Sequence, residues 1–146
     1  METTSPHHLF GRDCGRSLGN CDKQVVGPQT LGVLGEELAS CYLGRRGYKI
    51  LLRNYENILG EIDLIAKEKG ALVFIEVKTR SSLSMGLPLE GVTFRKRAKM
   101  VRVAQYYMKR YGIKNLPCRF DVVSILILPG QEPQIDVIQN AFCEGE

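Results

Sequence analysis

Residues 60–80 read GEIDLIAKEKGALVFIEVKTR, two apolar-rich runs separated by Glu68-Lys69-Gly70. The spacing predicts a β-hairpin, Gly60–Lys67 followed by Ala71–Arg80, with a glycine to supply the positive φ of a tight turn. Along the second run alternate side chains point to opposite faces. Val73, Ile75 and Val77 share one face, whereas Leu72, Phe74, Glu76, Lys78 and Arg80 share the other. If Lys69-Gly70 is a two-residue turn, Glu68 pairs with Ala71 and Asp63 stands opposite Glu76. Directly opposed residues have Cβ atoms roughly 4.5–5.5 Å apart. A four-residue loop would instead bring Glu61 opposite Glu76, and an unbulged three-residue loop would part Asp63 from Glu76 altogether.

Two carboxylates held together beside apolar surface repel each other and lose hydration. They call for compensation by a proton, a lysine or a cation. Lys78 offers one positive charge; a hard divalent ion, Mg²⁺ or Mn²⁺, offers two and suits oxygen ligands. Such a set can act on a phosphodiester: metal polarises the phosphate and lysine orients water or neutralises developing charge. A cross-strand salt bridge with no catalytic role accounts for Glu76 and Lys78 equally well.

Outward from the hairpin, Leu31, Leu34, Leu38 and Tyr42 recur at helical spacing. Gln29 or Thr30 can open that helix, and Arg45, Arg46 and Gly47 suit its end. Tyr48–Tyr55 reads as a strand. After the hairpin comes a Ser/Gly/Pro-rich loop, Ser81–Leu89, then a helix capped by Thr93 and running to about Tyr111 before Gly112. Arg119–Leu128 is a β-branched strand, and Ile135–Phe142 an edge strand. The order is helix, three strands, helix, two strands. An antiparallel meander and a right-handed helical crossover would make an α/β sandwich on a mixed sheet.

The 146-residue chain is sized for one domain, and 44% hydrophobic with 25% charged residues is ordinary for a globular protein. Residues 1–28 are polar and aperiodic, which predicts an unstructured tail before a single domain at 29–146. No membrane-spanning run or secretory signal is present, and the five cysteines read as reduced thiols, so a cytoplasmic location is expected. His7, His8, Cys14 and Cys21 match no zinc spacing. The net charge of +4 permits an anionic partner.

Positive charge concentrates in the second helix. Between Val92 and Tyr111 lie seven Lys or Arg and no acid. Phe94, Ala98, Val101, Ala104 and Met108 form the expected core stripe, while Arg95, Lys99, Arg102, Tyr106 and Lys109 form another face. A one-signed basic face bearing a tyrosine suits phosphate tracking, although a solvated helix exterior has the same pattern.

The run GEIDLIA with VFIEVKTR resembles the YraN-like family of uncharacterised bacterial proteins (uncharacterised protein family 0102). The resemblance extends from about Leu31 to Val123 and includes Gly35-Glu36, Ala39, Gly47-Tyr48, Arg53-Asn54, Gly86 with Pro88, Glu90, Lys96 and Arg119-Phe120-Asp121. That family is similar to archaeal Holliday-junction resolvases within the PD-(D/E)XK superfamily. The resemblance implies a restriction-endonuclease-like three-layer sandwich with a mixed sheet of about five strands. It implies Asp63, Glu76 and the Val77 carbonyl as Mg²⁺ or Mn²⁺ ligands, Lys78 as catalytic lysine, and Glu36 as the first-helix acid. Helical spacing alone leaves Glu36 and Glu37 equivalent. Arg80, Arg95, Lys96, Lys99 and Arg102 are the expected nucleic-acid contacts. The expected activity is metal-dependent cleavage of DNA, branched DNA included, in preference to RNA. A homodimer is compatible with cutting two strands. A non-catalytic nucleic-acid-binding module and a scaffold with an ion-pair cluster are the competing readings. Ile62 stands where the superfamily's name-giving motif has proline.

Overall fold

A computed structural model describes residues 28–85 and 88–144. The order is α1 (Pro28–Arg45), β1 (Lys49–Asn57), β2 (Gly60–Glu68), β3 (Ala71–Arg80), α2 (Phe94–Arg110), β4 (Cys118–Leu126) and β5 (Gln134–Phe142). The expected tail lies outside the described residues except for Pro28, which opens α1 instead; proline suits a first helical turn because its missing N–H has no partner to lose.

The sheet has five strands in the order β1-β2-β3-β4-β5. Every neighbouring pair is antiparallel except β3 with β4, which run parallel because α2 carries the chain across between them. This is the α/β layering expected from the sequence, a mixed sheet with helices on its faces. The strand β3 is central, hydrogen-bonded to β2 on one side and β4 on the other. No helix among the described residues is long and apolar enough to cross a membrane.

Two apolar cores form, one on each face. Leu64, Ala66, Val73, Ile75, Val123 and Ile125 pack with Ala39 and Leu43 of α1. Ile65, Leu72, Phe74, Phe120, Val122 and Phe142 pack with Met100, Val103, Ala104 and Tyr107 of α2. The alternation read from Ala71–Arg80 sorts these strand residues as the structure does.

Both helical stripes need correction. In α1 the strip against the sheet is Gly35, Ala39 and Leu43; Leu31, Leu34 and Tyr42 are only half-buried. A Cβ on Gly35 would lie 1.8 Å from Thr79 Oγ1. Small residues therefore set the helix's closest approach, and the larger ones flank it. In α2 the buried residues are Met100, Val103, Ala104 and Tyr107, whereas Phe94 is 72% exposed. The apolar arc of α2 is wide enough for either choice, and packing settles on the set adjoining Phe74. Tyr107 meets Phe74 and Tyr55 edge-on, at 5.9 and 5.1 Å between centroids.

The loop after β3 is not wholly irregular: Leu83–Met85 and Pro88–Gly91 are 3₁₀ turns. Thr93 caps α2 as expected, its hydroxyl accepting the Lys96 N–H at 3.2 Å.

Candidate active site

The hairpin turn decides the site. Lys69 and Gly70 have φ of 47° and 77°, so both central residues are left-handed, as a two-residue hairpin loop of matching twist requires. Glu68 pairs with Ala71, and the ladder runs to Leu64–Ile75. One step beyond, Asp63 stands beside Glu76, the first of the three pairings the sequence allowed.

At Asp63 the regular alternation of β2 breaks. Ile62 packs under α2 and Leu64 under α1. The Asp63 carboxylate turns along the sheet and accepts the Val77 backbone N–H at 2.7 Å, taking the place of a ladder acceptor. It thus feels groups from both layers. Burial, then the charge of Glu76, with a smaller part from Glu36, push its carboxyl up from 3.8 to about 7. The Val77 N–H opposes the shift without cancelling it.

Glu76 is 4% exposed. Its Oε1 lies 3.2 Å from Lys78 Nζ and its Oε2 lies 3.5 Å from Lys96 Nζ. The buried Oε2 accepts no hydrogen bond from the protein. Lys78 arrives from the next same-face position of β3, its stem 3.8 Å from where a Gly91 Cβ would stand. Lys96 comes from the first turn of α2, which Thr93 fixes. The sequence predicts Lys96 as a substrate contact alone; that it reaches Glu76 depends on how α2 seats over β3, which no local pattern encodes.

The two glutamates of α1 are distinguished by their settings. Glu36 is half-buried and its charge reaches Asp63, whereas Glu37 is exposed. Among the described residues no three His, Cys, Asp or Glu side chains converge as a metal-binding group. Two carboxylates, Asp63 and Glu76, are the donors at hand. Magnesium commonly takes one or two carboxylates and completes its shell with water and phosphate. A Glu76 oxygen that accepts no hydrogen bond, beside an Asp63 carboxyl pushed up to about 7, is a donor set that such a cation fits.

Of the basic residues, Arg95, Lys99 and Arg102 are exposed on one face of α2. Arg80 is half-buried and donates to Ser124 Oγ at 3.4 Å, which ties it to the neighbouring strand. At the hairpin end, away from Asp63, a second polar cluster escaped sequence reading. Asp121, fully buried, accepts from Arg119 at 3.0 Å, Tyr48 at 3.0 Å and the Asn140 N–H at 2.9 Å. Arg119 also reaches Glu68 at 2.8 Å. The Arg119-x-Asp121 spacing was visible as a same-face pair; its partners come from three other parts of the chain.

Comparison with known proteins places the chain in a family. A repair endonuclease of known crystal structure from Pyrococcus abyssi is similar at 22% identity and TM-score 0.36, over 64% of this chain and 36% of that one. A UPF0102 protein of Caldanaerobacter subterraneus subsp. tengcongensis is 43% identical over 80% of this chain and 98% of its own length. One from Clostridioides difficile is 45% identical over 76% and 95%, respectively. The model of Uncharacterised protein family UPF0102 matches residues 35–125, the segment that carries Glu36, Asp63, Glu76, Lys78 and Lys96. The chain belongs to Uncharacterised protein family UPF0102.

Proposed function

We propose that this protein is a metal-dependent endonuclease that hydrolyses phosphodiester bonds in DNA, branched DNA included, with a site of the PD-(D/E)XK kind. The observation that carries the reading is the half-buried Asp63 carboxylate beside the buried Glu76, with Lys78 Nζ 3.2 Å from Glu76. Asp63, Glu76 and the Val77 carbonyl would hold Mg²⁺ or Mn²⁺. Bound there, the ion supplies Lewis acidity toward a phosphate oxygen and lowers the pKa of water.

The chain's own groups do the rest. Lys78, 3.2 Å from Glu76, would neutralise charge on the phosphate or orient the attacking water. Lys96, on the other oxygen of Glu76, would offer a second positive charge to the phosphate. Glu36 adds a further negative charge, which favours a cation and opposes an anion entering without one. Arg95, Lys99 and Arg102 offer backbone contacts that position DNA without reading its sequence. The proposal includes a cytoplasmic location, and a symmetric homodimer would allow paired cuts.

Incubation with branched, nicked and continuous duplex DNA in Mg²⁺ or Mn²⁺ tests the proposal. Cleavage should appear and fall by at least about 10²-fold in Asp63→Asn and Lys78→Ala; undiminished activity in both variants would remove the support. A second reading has its own observation: Lys78 and Lys96 already flank Glu76, as a static ion-pair cluster would. On that reading the protein binds nucleic acid in a salt-sensitive way and cleaves none, whichever metal is supplied.

A further inference from the structure

The turn joining β1 to β2 is made of Ile58 and Leu59, where Asn, Gly or Asp would be usual. The ladder reaches Asn57–Gly60, so these two residues are the whole connection. Ile58 is 90% exposed, the largest exposure among the large apolar residues described, and Leu59 is 38% exposed.

This tip is held in place. Asn57 Oδ1 accepts the Leu59 N–H at 2.8 Å, and Asn57 Nδ2 donates to Tyr55 OH at 3.4 Å. Tyr55 rests edge-on against Tyr107 of α2. Gly60, at φ 148°, lies so close to α2 that a Cβ would sit 2.7 Å from Lys99 Cε. An aliphatic pair is thus presented to water from a tip held by hydrogen bonds of its own.

Both supports of the tip lead to the carboxylates. Asp63 follows Gly60 by three residues of strand, about 10 Å. Lys99 follows Lys96, which touches Glu76, by one turn of α2. Lys99 belongs to the exposed row Arg95, Lys99 and Arg102. Glu56 and Glu61, paired directly behind the tip, would repel phosphate. Charge therefore assigns the backbone to α2 and leaves the tip to meet bases.

We propose that Ile58 and Leu59 form an apolar wedge that enters nucleic acid where base stacking is interrupted, making branched or nicked DNA the substrate class. The inference rests on the nucleic-acid reading above and deepens it. Separating a stacked step costs a few kcal/mol in intact duplex and little where stacking is already broken. A wedge beside a backbone track consequently selects structure over sequence.

The test uses the full chain, Ile58→Ser/Leu59→Ser, and equal-length duplex, nicked and four-way DNA carrying 2-aminopurine at the interruption. Binding is read by anisotropy in Ca²⁺ and unstacking by fluorescence. The wild type should favour interrupted DNA and brighten the probe. The double variant should lose about tenfold in affinity for interrupted DNA and lose the brightening, with duplex affinity, salt slope and Tm unchanged. Equal affinity of variant and wild type for every DNA would overturn the wedge while leaving the nuclease reading intact. Equal loss on all three DNAs would overturn it too. If the variant instead turns a dimer into a monomer, the tip is a self-association surface and the wedge is wrong. Failure of the wild type to bind any DNA sinks both readings.

Discussion

The Asp63 carboxylate accepts the Val77 backbone N–H at 2.7 Å, so a side chain of β2 occupies the place of a main-chain acceptor on the strand that carries Glu76. One hydrogen bond thereby couples the position of the first acid to the strand bearing the second and to Lys78.

Replacing that acid with its neutral isostere should stabilise the fold. Asp63→Asn keeps an oxygen for Val77 and removes a buried charge facing Glu76. A pKa raised from 3.8 to about 7 bounds the gain at about 4 kcal/mol. With relaxation and the exposed part of the side chain discounted, about 2 kcal/mol is expected at pH 8 without metal, a rise of roughly 5–10 °C in Tm. Calorimetry in a chelator checks it; a lowered Tm would mean the charged form is already compensated.

The pH profile follows with a definite sign. The folded-state pKa of Asp63 lies above its unfolded value, so the native state holds a proton that the unfolded chain has released. Its contribution is fully present below about pH 4 and is lost as pH rises through about 7. Without metal, wild-type stability should fall across that window more steeply than that of Asp63→Asn. Mg²⁺ or Mn²⁺ should restore stability above pH 7, because a cation binds the ionised pair. Chemical denaturation at several pH values measures both.

Lys78 and Lys96 should part company on substitution. Lys78→Ala should lower cleavage by about 10²–10³-fold with little change in DNA affinity. Lys96→Met should tighten divalent-ion binding by several-fold, since one competitor for Glu76 Oε2 is gone, while weakening DNA affinity. Isothermal titration with Mn²⁺, set beside cleavage rates, distinguishes the two roles.

Gly35→Ala should destabilise by about 1–3 kcal/mol, because the new Cβ would lie 1.8 Å from Thr79 Oγ1 and α1 must retreat from β3. Thr79→Ala in the same chain should recover part of the loss. Recovery stays partial, since the Thr79 Cβ itself would be 2.9 Å away. A double-mutant cycle in urea gives the coupling.

At the other end of the sheet, Asp121→Ala should cost about 3–5 kcal/mol by leaving the half-buried Arg119 guanidinium and the Asn140 N–H without their shared acceptor. Metal affinity should remain unchanged in whatever fraction stays folded.

The hairpin was legible because its information is local: the turn Lys69-Gly70 and the period-two pattern of Ala71–Arg80 together set which residues oppose which. Strand order followed from connection lengths and the parallel crossover. The helical stripes were read less well. Large apolar residues suggested Leu31, Leu34 and Phe94, whereas close approach favours Gly35 and Ala39, and packing against Phe74 favours Met100 and Tyr107. Hydropathy ranks side chains by size as well as polarity, and a tight helix–sheet contact inverts that ranking.

By itself, the order of residues narrowed the hairpin to a few registers, one of which brings Asp63, Glu76 and Lys78 together, because register is a matter of neighbouring backbone geometry. Only the tertiary structure decided the rest: Glu36 over Glu37, Lys96 on Glu76, and the turning of Asp63 toward Val77. Those outcomes depend on how two helices seat on opposite faces of one sheet. Seating is governed by side-chain volumes summed over distant segments, which no local period records.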